Sequence, residues 1–262
     1  MNIAARLARY EDRGFSRETA AVNVLLEQAL HVLLSAFPDT FVFFGGASLV
    51  LFYGSPRHSG DLDLLISTEA APSTDAVQKA LEGPLRADAE ILGYPGLTIE
   101  PARTAGEFTK LAVRAGARTL FTIDQTRISA VIRSELVEFQ IESDSGEHVT
   151  VSVASRNLQL LFKAEAILRR PFLRARDAFD IKLLRDSGAV LSDSLKAHLA
   201  DGAAAEKLEN PKFIAERIAQ VSSRTCTPEL QPYLPKDVYE QLKESDFKPL
   251  RAALRDLFSE WL

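Results

Sequence analysis

Apolar and polar positions along this chain follow two different rhythms, and the change between them falls near Ser155. Ahead of it, Val22, Leu25, Leu26, Ala29, Leu30, Leu33 and Leu34 recur at helical spacing, which predicts a helix over 17–36 that covers a sheet. Phe41-Val42-Phe43-Phe44 then reads as a buried strand, Gly45-Gly46 as a sharp exit, and Ala47 to Tyr53 as a short apolar helix. Residues 61–66, DLDLLI, alternate carboxylates with leucines as a strand does. A helix over 73–81 follows, and after it strands over 97–100, 119–123, 128–133, 136–141 and 149–153. Short strands clustered without regular helical crossovers predict a mixed or antiparallel sheet, with hairpins among the later strands.

Beyond Ser155 the period is 3.6 residues throughout. Leu158, Leu161, Phe162 and Leu168 define a helix ended by Pro171; Ala175, Phe179 and Leu183 define a second, ended near Gly188; Asn210-Pro211 opens a third with Ile214, Ile218 and Val221. The last, with Leu250, Leu254, Leu257, Phe258 and Trp261, is strongly amphipathic. Gly202 to Ala205 is a patch of small residues, and the prolines at 228, 232 and 235 mark a loop. The expectation is an α+β chain: a mixed sheet with flanking helices over 1–154, then a helical C-terminal domain over 155–262.

Composition narrows the class. A chain of 262 residues, 46% hydrophobic, can bury a substantial core. No run of eighteen apolar residues and no signal-like start is visible in MNIAARLARYEDRG, so a cytoplasmic protein without a membrane partner is expected. Cys226 stands alone and the four histidines are scattered, which offers neither a disulfide nor a zinc site. A net charge of −5 argues against a surface that grips nucleic acid everywhere. Charge is nonetheless local: between Lys163 and Arg185 seven basic residues (Lys163, Arg169, Arg170, Arg174, Arg176, Lys182, Arg185) face three acids (Glu165, Asp177, Asp180), a balance of +4. A solvated helix pair laced with ion pairs such as Arg176 with Asp180 accounts for such a run; so does a triphosphate clamp whose rim meets RNA.

The candidate chemistry starts at Asp61 and Asp63. Strand residues two apart share a face, about 6.6 Å apart along the strand, and hard divalent cations prefer carboxylate oxygens. Upstream, the amides of Gly46, Ala47 and Ser48 would face an anion at the positive end of a short helix. Strand, Gly-Gly, helix, loop and D-x-D in that order suit a nucleoside triphosphate and its magnesium ions. Glu138 lies on the polar face of strand 136–141. Asp177 and Asp180, three apart on a helix, share a face that a helical hairpin brings toward Lys163, completing a pocket between the sheet domain and the helical domain.

Gly45, Gly46, Leu49, Arg57, Ser59, Asp61 and Asp63 together resemble the signature of the polymerase-beta-like nucleotidyltransferase superfamily. Lys163-Ala-Glu-Ala166-Ile-Leu-Arg-Arg170 and Arg176-Asp177-Ala-Phe-Asp180-Ile narrow the resemblance to its AbiEii/AbiGii toxins, with Pro171 and Phe172 added between the two stretches. The resemblance implies a nucleotidyltransferase fold and a Mg²⁺-dependent toxin of a toxin–antitoxin or phage-defence system that transfers a nucleotide from an NTP, with the 3′ end of tRNA as acceptor and a cognate antitoxin as partner. It implies nucleotide binding at Gly45, Gly46, Ser48, Arg57, Ser59 and Lys163, and metal binding at Asp61 and Asp63 with Glu138 as a candidate third metal carboxylate beside them. Catalysis falls to Asp61, Asp63 and Lys163, with Asp180 or Asp177 orienting the lysine or assisting deprotonation of the acceptor. A non-catalytic nucleotide-binding module and a small-molecule nucleotidyltransferase are the other readings.

Overall fold

The computed structural model describes residues 2–66, 71–127, 133–142, 146, 148–201 and 205–259, and its contacts divide the chain into two compact units, Met1–Ala154 and Ser155–Leu262. The first unit runs α1 (Ile3–Glu11), α2 (Arg17–Ala36), β1 (Phe41–Phe44), α3 (Gly45–Phe52), β2 (Asp61–Ile66), α4 (Thr74–Ile91), β3 (Leu97–Ala105), β4 (Phe108–Ala115), β5 (Arg118–Arg127), β6 (Leu136–Glu142) and β7 (His148–Ala154).

The strands form one seven-stranded sheet in the order β3-β4-β5-β2-β1-β7-β6. It is mixed: β2 pairs antiparallel with β1 and parallel with β5, while β1 pairs parallel with β7. Alternation sorts its faces. Leu62, Leu64, Phe43, Ile123, Phe121, Leu111, Val113, Val151 and Val153 point to the covered face and join a core with α2 and α4. Helix α2, with a mean hydropathy of 1.3, is long and apolar enough to span a membrane by composition, yet 67% of that window is buried inside the unit. Its burial against the sheet explains its apolarity without a bilayer.

Two elements depart from the sequence expectation. Helix α4 does not stop at Leu81 but passes Gly83-Pro84 and continues to Ile91. A proline in a helix interior loses a hydrogen bond, but Val77, Leu81, Leu85 and Ala89, one per turn, are all buried on the sheet side. Strand β4 has no counterpart in the sequence pattern: Lys110, Leu111, Ala112, Arg114 and Ala115 are helix formers, and only pairing on both sides makes them a strand. It is held by two-residue turns at Gly106-Glu107 and Gly116-Ala117, each glycine at φ +57, the left-handed first position a tight hairpin requires. Strand β3 is an edge strand, interrupted by a bulge between Pro101 and Arg103. Most of the strand expected over 128–133 lies outside the described residues, as do Gly202 to Ala204 and Trp261.

The second unit is helical: α5 (Arg156–Arg169), α6 (Ala175–Asp186), α7 (Asp193–Asp201), α8 (Ala205–Leu208), α9 (Pro211–Ala219), α10 (Ser223–Leu230), α11 (Lys236–Glu244) and α12 (Lys248–Leu257). Pro228 lies inside α10 and Pro235 caps α11, so the expected loop is helical on both sides of a short turn. Helices α5 and α6 pack on each other and their facing ends are tied down. Ser155 accepts the Leu158 amide at 3.2 Å to cap α5. At the other end Arg217, buried and hydrogen-bonded to the carbonyls of Arg170 (2.6 Å) and Pro171 (2.9 Å), satisfies groups the helix leaves open. The start of α6 has no side-chain cap of its own; Glu229 supplies one, accepting the Ala175 amide at 2.8 Å. Cys226 is buried in α10, and burial pushes its thiol up to about 11.

Candidate active site

Asp61 and Asp63 stand half-buried on the face of β2 opposite the core. The corner beside them is shaped by what glycine leaves out. Gly45 has φ +78, and a Cβ there would lie 2.0 Å from Asp63 Oδ2; a Cβ on Gly46 would lie 2.5 Å from Arg57 Nη2 and 2.6 Å from Ser59 Oγ. Asp63 is thus seated against the start of α3, where the N-cap residue Phe44 has no side chain able to cap the helix. Ser48, Arg57 and Ser59 are buried. The Ser48 hydroxyl donates to the Gly45 carbonyl at 2.8 Å and Arg57 Nη1 donates to the His58 carbonyl at 2.8 Å, so these side chains brace the corner from within.

The neighbouring strand adds an acid that sequence reasoning overlooked. Asp124 on β5 is the register partner of Asp63, and Thr122 that of Asp61. Thr122 Oγ1 lies 2.6 Å from Asp61 Oδ1 and 2.9 Å from Asp124 Oδ1, while Lys110 Nζ on β4 sits 2.9 Å from Asp124 Oδ2. Burial raises the Asp124 carboxyl above the usual range, opposed by Lys110 and by the Thr122 hydrogen bond and reinforced by the charge of Asp61. A signal was available: Thr122-Ile123-Asp124 repeats the polar-apolar-polar alternation of Asp61-Leu62-Asp63, and the expected strand stops one residue short of Asp124, where β5 continues to Arg127.

Glu138 does not join this group. It is exposed on β6, at the opposite edge of the sheet, separated from β2 by β1 and β7. Three strand spacings put it about 14 Å away even though it shares the face. Reading alternation without strand order cannot reveal this.

In the helical unit, Lys163 on α5 lies between two carboxylates of α6, 2.9 Å from Asp177 Oδ1 and 2.8 Å from Asp180 Oδ2. Asp180 is wholly buried and Asp177 also pairs with Arg170. Most of the basic window is engaged locally as well: Arg174 with Glu229, Lys182 with Asp186, Arg185 with Asp256, and Arg176 over the Tyr233 ring at 4.8 Å. Among the described residues of that window, Arg169 has no ion pair and is exposed.

Among the described residues no three His, Cys, Asp or Glu side chains gather to hold a metal alone. The donor set nevertheless fits Mg²⁺, which is usually held by one or two carboxylates together with phosphate oxygens of its substrate, and Asp61 and Asp63 present two half-buried carboxylates on one strand face.

The sequence model of the family described as nucleotidyl transferase AbiEii toxin, type IV TA system, matches residues 29–260, nearly the whole chain. The chain belongs to this AbiEii family. It is a nucleotidyltransferase of the toxin type. No curated protein matches it. Among solved structures, MenT4, a nucleotidyltransferase toxin of Mycobacterium tuberculosis H37Rv, is 17% identical with a TM-score of 0.57, over 100% of this chain and 93% of that one. A putative nucleotidyltransferase from Helicobacter pylori (16%, TM-score 0.51, 90% and 94% covered) and JHP933 from Helicobacter pylori (16%, TM-score 0.50, 91% and 93% covered) share the fold as well. The mixed sheet with flanking helices is therefore the AbiEii nucleotidyltransferase architecture.

Proposed function

We propose that this toxin transfers a nucleotide from a magnesium-bound nucleoside triphosphate to RNA, with the 3′ end of tRNA as acceptor, in the cytoplasm and under the control of a cognate antitoxin. The observation that carries the transfer reaction is the pairing of Asp61 and Asp63 on the strand face opposite the core with a glycine corner into which Asp63 fits. The tRNA acceptor and the antitoxin are carried by the family resemblance.

In this reading Asp61 and Asp63 hold the ion, which when bound neutralises phosphate charge and polarises the phosphorus centre. The amides of Gly46 and Ala47, at the positive end of α3, receive phosphate oxygens. Gly45, Ser48, Arg57 and Ser59 act one step back by keeping that corner in shape, since their side chains or conformations serve the fold there. Lys163 serves as counter-charge to the departing pyrophosphate; Asp180, buried against it, holds the ammonium in place, and Asp177 shares that task with Arg170 as its second partner. A buried Asp180 bonded to Lys163 suits positioning better than proton removal. As in other attacks at phosphorus, the work is placement and electrostatics.

The test is incubation of the purified protein with each α-labelled NTP, Mg²⁺, and total RNA or none. Label entering RNA supports the proposal. Label in small molecules or in protein points to a different acceptor, and absence of any label, with the nucleotide still retained on the protein, to a binding module. Asp61→Asn and Asp63→Asn should each lower transfer at least ~100-fold while leaving the circular dichroism spectrum unchanged. Full activity in both variants would remove the acidic pair from the reaction.

A further inference from the structure

Pro171 and Phe172, the two residues added between the family-like stretches, lie in the turn from α5 to α6. Phe172 is 74% exposed, and among the described residues no ring or cation stacks on it. The turn itself is held firmly. Arg217, buried beneath it, donates to the carbonyls of Arg170 at 2.6 Å and Pro171 at 2.9 Å, and Gln220 Oε1 accepts the Leu173 amide at 2.9 Å. Leu173 is buried and takes the place in the core. With the backbone fixed on both sides, the phenyl ring stays in water although its burial would be favourable. Its exposed neighbours in sequence are Arg169, Arg170, Pro171 and Arg174, and residues 169–176 hold four arginines and no acid. Arg170 and Arg174 reach Asp177 and Glu229 with half-exposed guanidinium groups. Ion pairs as wet as these are weak, so a phosphate can compete for either arginine.

We propose that Phe172 is a stacking platform for an unpaired base of RNA, with Arg169, Arg170 and Arg174 taking the adjoining phosphates. The inference deepens the RNA-acceptor reading and rests on it. A fixed aromatic ring among guanidinium groups suits single-stranded nucleic acid, which offers a π-face and a negative charge at every nucleotide. A protein partner would call for further exposed apolar residues beside the ring, and this turn adds only Pro171. Arg169 follows Lys163 by six residues, about 9 Å along α5, so RNA held here lies near the lysine of the proposed reaction.

Fluorescence anisotropy of the full chain without NTP measures Kd for a short labelled single-stranded RNA and for a blunt RNA duplex of equal length. Phe172→Ala should weaken single-strand binding roughly tenfold, leave duplex binding and the salt slope unchanged, and Phe172→Tyr should keep the wild-type affinity. Arg169→Gln should instead lower the salt slope by roughly 0.7. Equal single-strand affinity in wild type and Phe172→Ala overturns the proposal, as does an equal loss on strand and duplex. A dimer in sedimentation that Phe172→Ala abolishes, with RNA affinity intact, overturns it in favour of a second copy of the chain. Wild-type protein with no affinity for RNA overturns the acceptor reading together with this inference. Binding that depends on Phe172, without label transfer into RNA, upholds the platform and fails the acceptor reading alone. Since the ring is exposed, Phe172→Ala should melt at the wild-type temperature; if it does not fold, Phe172→Gln against Phe172→Tyr makes the same comparison.

Discussion

Gly45 bears two constraints at once, a left-handed backbone and a carboxylate occupying the space its Cβ would need. Gly54 shares the backbone, at φ +73, but a Cβ there would meet nothing within 4 Å. Gly54→Ala should therefore cost only the conformational penalty, about 1–2 kcal/mol. Gly45→Ala should add the clash with Asp63 and lose roughly 2–4 kcal/mol, with transfer activity falling too. Urea denaturation compares the two; equal losses would show that Asp63 does not press on Gly45. Cys226 gives a second residue-scale expectation. Its thiol should resist alkylation at pH 8 in the native protein and react on denaturation. Because its folded value, about 11, lies above the ordinary 9.0, the unfolded chain releases this proton first. The stabilisation is present in full below pH 9 and is lost as pH rises toward 11, a decline that Cys226→Ala should flatten. At this scale the sequence was most readable where a residue's neighbours lie close along the chain, as at Gly45 and Asp63. It was least readable at Asp124, whose significance depends on which strand lies beside β2.

Elements show the same division. Helices α2, α5 and α6 and strands β1 and β2 announce themselves in the sequence, because each buries a set of apolar residues regular enough to read along the chain. Strand β4 and the second half of α4 do not, since their conformation is imposed by partners distant in sequence. The α5–α6 pair illustrates how a sequence motif becomes an energetic unit. Removing the ammonium of Lys163 leaves the carboxylates of Asp177 and Asp180 without it in a buried setting, so Lys163→Met should destabilise by roughly 3–5 kcal/mol. Combining it with Asp180→Asn should recover part of that loss in a double-mutant cycle monitored by thermal unfolding. Strict additivity of the two single changes would contradict the coupling.

For the molecule as a whole, family membership turns these local arguments into a cellular expectation. Induced expression of the wild-type chain without an antitoxin should arrest growth, and Asp61→Asn expressed to the same level should not, as judged by colony counts over at least two orders of magnitude. Arrest by both would place toxicity outside nucleotide transfer. The general architecture was legible because the alternation of DLDLLI and the helical period after Ser155 each extend over enough residues to leave no second interpretation. Strand order was not, and with it went the placement of Glu138, because nothing in a strand's own residues says which neighbours it will have. One feature of that order reaches beyond catalysis. The sheet ends at β3 on a bulged segment carrying Pro101 between Glu100 and Arg103, a kinked border with a missing amide and charges of both signs. Such a border is a poor template for another chain's backbone, which should help a protein made in a crowded cell to escape fibrillar stacking.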